Sequence, residues 1–95
     1  MIEIKTKSGF TFSVPEARVK DNRELFDALV EYFEEKDVAS RIMIFRNKIT
    51  TLLLGEDGRR ALYEHCRDEE SGVVLSGHVD DEVYEILVEN KLIKN

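Results

Sequence analysis

The feature that most constrains this chain is a change of hydrophobic period near residue 20. From Ile2 to Val14 the pattern is period two: Ile2, Ile4, Phe10, Phe12 and Val14 alternate with Glu3, Lys5, Thr11 and Ser13. Ser8-Gly9 separates the two runs. Alternation on both sides of a glycine turn predicts a β-hairpin with one buried face. Pro15 then ends the second strand or leaves it on an edge. From Leu25 the period lengthens, and Leu25, Phe26, Leu29, Val30 and Phe33 recur at helical spacing. A hairpin followed by helices is an α+β chain. The reading is one domain over residues 1–95, with the hairpin in 1–15 and a helical part of about four helices in 21–95.

Helix boundaries follow from capping chemistry. Asp21 with Glu24 three residues later resembles a capping box, so the first helix is predicted from about Asn22 to Glu35. Asp37 caps a second, roughly Val38 to Leu54, which Gly55 closes. A third runs from about Asp57 to Arg67. Asp68-Glu69-Glu70-Ser71-Gly72 is a polar turn, and Val73-Val74-Leu75 is either a short third strand or an extended segment packing down. Ser76-Gly77-His78 reads as another turn. Asp80 then caps a last helix, about Asp81 to Glu89, with Val83, Ile86 and Leu87 inward and Asp81 and Glu82 at its positive end.

The second helix stands out. Its main stripe is Val38, Ile42, Phe45, Ile49 and Leu52 or Leu53, but Met43, Ile44 and Leu54 fall well off that stripe. A helix apolar on more than one side is either central to the fold or covered by a partner. It carries three cations and no acid, whereas residues 21–37 carry seven acids against two cations. Such a basic helix either packs against its acidic neighbours or pairs with acidic surfaces of another copy.

Composition excludes several functions. The net charge of −6 opposes binding to nucleic acid, whose partners usually carry a basic face. It equally disfavours anionic membrane surfaces, and no apolar run approaches the roughly 20 residues that span a bilayer. The N-terminus alternates and carries an acid early, unlike a signal peptide. A single cysteine forms no internal disulfide. The expectation is a cytoplasmic protein.

Residues able to do chemistry are few. Cys66 follows His65 directly, and neighbours on a helix point about 100° apart, a poor arrangement for proton transfer. Cys66 also suits the apolar face of its helix. His65, Cys66 and His78 lack the spacing of a zinc site. Gly55-Glu56-Asp57-Gly58 places acids where a phosphate loop needs free backbone donors. No serine lies in a nucleophile elbow. No catalytic, cofactor-binding or metal residues are assigned, no cofactor is expected, and the chain reads as a binding protein rather than an enzyme.

Four segments carry a resemblance. They are Ser8-Gly9-Phe10 leading to Val14; Glu24-Leu25-Phe26-Asp27-Ala28-Leu29; Leu52-Leu53-Leu54-Gly55-Glu56-Asp57-Gly58 with Arg59 to His65; and Asp68 to Gly72 with Val73 and the helix of Val83, Ile86 and Leu87. In these the chain resembles the small tail assembly chaperones encoded by long-tailed bacteriophages and prophages. The resemblance implies a non-enzymatic protein of the host cytosol that coats the tape measure protein and recruits tail tube subunits. In such proteins a Lys-Asn ending like Lys94-Asn95 can coincide with a slippery codon run where a frameshift makes an extended product, a hypothesis about the gene that the protein sequence alone does not show. Multiple copies of such a protein gain avidity from repeated modest contacts, so a homo-oligomer is also expected. Met43, Ile44 and Leu54 are the candidate protein-interaction residues. The competing expectations are an antitoxin-like or regulatory adaptor and a head–tail structural component.

Overall fold

The computed structural model describes residues 1–94. The predicted hairpin forms, with β1 (Ile2–Lys5) antiparallel to β2 (Thr11–Val14) and Ile4 opposite Phe12. Gly9, at φ +98°, makes the turn that an L side chain would resist, and its N–H donates to the Thr6 carbonyl. Ile4, Phe10 and Val14 are buried while Glu3, Lys5, Thr11 and Ser13 face out, as period two requires.

The next element, the single turn α1 (Ala17–Lys20), is absent from the sequence reading. One turn is too short to show a period, and only Val19 on it is buried. Its presence corrects the proposed capping box. Asp21 closes α1, with its N–H on the Ala17 carbonyl, and Asn22 caps α2 (Arg23–Glu34) by accepting from the Leu25 N–H at 3.0 Å. Leu25, Ala28 and Leu29 give α2 its buried side. Asp37 caps α3 (Val38–Met43) as expected, accepting from both the N–H and the hydroxyl of Ser40.

The predicted second helix is continuous in trace but not in geometry. Between α3 and α4 (Thr50–His65) lies a π-helical segment, Ile44–Ile49. Both the N–H and the hydroxyl of Thr50 bond to the Phe45 carbonyl five residues back. A π segment inserts about one residue into the α-helical phase, a rotation of roughly 100°. The single stripe expected from Val38 to Leu53 is therefore broken. Ile49 and Leu53 are fully buried, but Val38 and Ile42 at the same nominal phase are turned to solvent.

Gly55 ends the helical run in substance. At φ +76° and ψ 170° it interrupts α4, and the Leu52 carbonyl, deprived of its helical partner, accepts from the Arg18 guanidinium and the Asn22 amide. The rest of α4 is the third predicted helix. It ends at His65, and Gly58 within it lies so close to Phe12 and Leu54 that a Cβ there would sit 2.9 Å from both.

Beyond α4 the chain turns at Gly72, and Val74 makes one isolated bridge to Arg67. Residues 73–75 are thus an extended segment outside the hairpin sheet. Helix α5 (Ser76–Glu89) begins five residues before the predicted start. Ser76-Gly77-His78 is its first turn, and Asp80 is neither a cap nor near the end. Asp81 and Glu82 likewise lie one turn too deep to serve the helix terminus.

One apolar core joins these elements: Ile4, Phe10 and Val14 from the hairpin, Leu25 and Leu29 from α2, Ile49, Leu53, Leu54 and Leu62 from the central helix, and Val83, Ile86 and Leu87 from α5. Each fully buried Leu or Ile contributes about 1.5–3 kcal/mol relative to exposure. Among the described residues no helix is long and apolar enough to cross a membrane.

Candidate functional site

Two places on the molecule gather side chains with chemical or binding potential. The first is at the hairpin tip. Glu82 is the one buried carboxylate among the described residues, 7% exposed, and its Oε1 accepts from the Thr6 hydroxyl at 2.7 Å and the Ser8 hydroxyl at 2.5 Å. The Ser8 oxygen also lies 2.8 Å from His65 Nε2, and Glu85 accepts from the Lys7 N–H. Phe10 packs against the His65 ring, with centroids 5.5 Å apart.

A Ser–His–Glu set invites comparison with a catalytic relay, but its bonds run the wrong way. A serine nucleophile gives its proton to the histidine, which the acid orients from the far ring nitrogen. Here the Ser8 hydroxyl donates to Glu82 itself, and the carboxylate stands on the same side of the ring as the serine rather than at the far nitrogen. Glu82 approaches the same Nε2, at 3.6 Å. The arrangement is a clasp that ties the hairpin tip to α4 and α5, and it satisfies a buried carboxylate that would otherwise be costly. Sequence reasoning missed it because Thr6, Ser8, His65 and Glu82 come together only once α5 starts at Ser76.

Behind the clasp Ser8, His65, Cys66, His78, Asp81 and Glu82 line a recess of about 380 Å³. Cys66 is buried, and that burial, reinforced by the Glu82 charge, pushes its thiol above the ordinary value. It is a packed, protonated side chain, the opposite of a reactive thiolate. Among the described residues no three His, Cys, Asp or Glu side chains are placed to hold a metal ion.

The second place is the exposed side of α2 and α3. Phe26, Val30 and Phe33 form an i, i+4, i+7 row on α2, and both phenylalanines are 61% exposed. Val38, 67% exposed, and Ile42 continue the apolar surface on α3. Helix α2 thus carries a second apolar face beside its buried one, and α3, which buries no residue, leaves its apolar side chains uncovered. The acids of α2 lie elsewhere: Glu31, for example, pairs with Lys48 at 2.9 Å.

Between α2, α3 and α5 this surface deepens. Tyr32, Val38, Ile42, Phe45 and Tyr84 wall a groove of about 410 Å³ that leads to a narrower pocket of about 150 Å³ among Leu29, Phe33, Phe45, Leu87 and Ile93. Arg41 lies in both, with its guanidinium 4.8 Å from the Tyr32 ring centre. Its Nε is shut from solvent and has no hydrogen-bond partner among the described residues, a desolvation cost of about 1–3 kcal/mol that the ring offsets only in part. The other two cations of this stretch are paired, Lys48 with Glu31 and Arg46 with Asp80 at 2.8 Å.

The expected interaction residues divide three ways. Met43 is 61% exposed, on the outer side of α3. Ile44 is half-buried against the core. Leu54 is 2% exposed and belongs to the core, so it is not available to a partner. It was displaced by the π segment and the break at Gly55, which together turn the end of the helical run inward. The residues missed were Phe26, Val30 and Phe33. They had the right spacing in the sequence, yet a row adjoining Leu25 and Leu29 is indistinguishable there from a wide buried face.

The chain matches no protein-family model, no curated protein and no solved structure.

Proposed function

We propose that this chain is a non-enzymatic binding protein of bacteriophage tail assembly, a chaperone that covers apolar stretches of a tape measure protein and assists assembly of the tail tube in the host cytoplasm. The observation that supports this reading is the uncovered apolar surface on α2 and α3: Phe26, Val30, Phe33, Val38, Ile42 and Met43 are all exposed on one small molecule. Exposed large apolar side chains that gather on neighbouring helix faces suit an interaction surface. The family resemblance in the sequence supplies the identity of the partner. Repeated modest contacts from several copies suit a long helical client.

Co-expression with the tape measure protein of the same genome tests the reading. The expected result is that the client becomes soluble and co-purifies with this chain, while completed tails lack it. Retention in purified virions would instead favour a head–tail component. A client whose solubility is unchanged, or a toxin as the co-purifying neighbour, rejects the chaperone reading in favour of an adaptor.

A further inference from the structure

The groove of α2, α3 and α5 has acids at its mouth and cations within. Among the described residues its inner pocket is lined by apolar and aromatic side chains and by two cations, Arg41 and Lys94, with no acid. The chain as a whole carries −6. Arg41 is also the one cation of residues 38–55 without an acidic partner among the described residues. Of the two acids at the wider mouth, Asp80 is held by Arg46 through both carboxylate oxygens, and Asp81, which lines both this groove and the recess behind the clasp, forms no ion pair with Arg41 among the described residues.

We propose that this groove docks an amphipathic helix of another protein, seating one large apolar side chain in the inner pocket and presenting a carboxylate to Arg41 and Lys94. A cavity near 150 Å³ holds a benzene-sized group, which matches a single leucine or phenylalanine side chain. The groove walls are helices and offer side chains rather than a free strand edge, so an added strand has nothing to pair with and helix-in-groove recognition fits. The carboxylate supplies the partner Arg41 lacks, and a guanidinium braced on an aromatic ring is set for that contact. A second copy of this chain is a poorer occupant. A two-fold contact through the groove would bring Arg41 and Lys94 of each copy toward their own counterparts. The proposal rests on the reading of the chain as a binding protein and not on the identity of its client.

The test uses the full chain and two synthetic helical peptides with the same leucine spacing, one flanked by glutamates and one by lysines. In an NMR titration the glutamate peptide should shift Tyr32, Phe45 and Tyr84 and bind at least tenfold tighter than the lysine peptide. Arg41→Glu should reverse that preference. Lys94→Glu, at an exposed position, should weaken it in a chain whose fold is undisturbed. Equal affinities, binding of neither peptide, shifts confined to other surfaces, or peptide-independent shifts that grow with protein concentration would each overturn the proposal. The peptides contain no tape measure sequence, so a failed co-expression leaves this result standing, and the reverse also holds.

Discussion

The hairpin end and the α2–α3 end of this molecule use similar residues to opposite effect. At the hairpin end apolar side chains are covered and the buried charge is satisfied. Ile4, Phe10, Val14 and Leu62 are enclosed, and Glu82 receives two hydroxyls. At the other end Phe26, Phe33, Val38 and Met43 are largely exposed, and the Arg41 Nε is desolvated and without a hydrogen bond among the described residues. The difference teaches that hydrophobic content alone does not distinguish core from contact surface in a chain of this size. What distinguishes them is whether buried polar groups close their accounts within the molecule.

Breaking the packed end should cost most. Leu62→Ala empties a fully enclosed site and is expected to lower unfolding free energy by about 2–5 kcal/mol in urea titrations. Met43→Ala at the open end should change it by no more than about 0.5 kcal/mol. Similar losses from both would erase the contrast between the ends.

The clasp gives a smaller and more selective effect. Glu82→Leu removes the acceptor of Thr6 and Ser8 and should cost about 1–3 kcal/mol. Glu82→Gln keeps an acceptor oxygen and should lose less. Amide exchange should quicken first at Thr6 to Phe10 in the Leu variant. If Gln and Leu are equally harmful, the side-chain bonds do not hold the tip.

The smallest effect concerns acid. Two bonds from Ser40 hold the Asp37 carboxyl below the ordinary carboxylate value, the side-chain bond contributing more than the backbone one. A depressed folded value means that the ionised cap favours the folded helix above the unfolded value, and that this preference fades as pH falls below about 4. The Ser40 amide resonance should move over that window in the wild-type chain. In Asp37→Asn the movement should vanish. Persistence of the same movement would assign it to another acid.

How much of this was legible in the sequence follows from which features are periodic. The hairpin was plain because period two carries both register and face. Helix α2 was plain in extent, and Asp37 was correctly read as a cap. The π segment left no trace, since Ile44 to Ile49 keep a helical composition, and with it went the phase of Val38 and Ile42 and the burial of Leu54. The start of α5 was obscured because Ser76-Gly77 has turn chemistry, although Gly77 lies within the first helical turn. The clasp joins residues more than 70 positions apart, as in the bond from Ser8 to Glu82, and no local pattern encodes such a meeting. The expected Lys94-Asn95 ending reaches Asn95, which lies outside the described residues.

On the proposed reading the apolar face of α2 and α3 is left for a partner and does not hold the fold together. A triple variant, Phe26→Ser, Phe33→Ser and Val38→Ser, tests it most directly through its urea unfolding midpoint at low protein concentration. Serine and phenylalanine have similar helix propensities, so the helices themselves are little disturbed. An unfolding free energy within about 1 kcal/mol of the wild-type value is the predicted result. A loss of about 3 kcal/mol or more would show these side chains holding the fold together and would contradict the account.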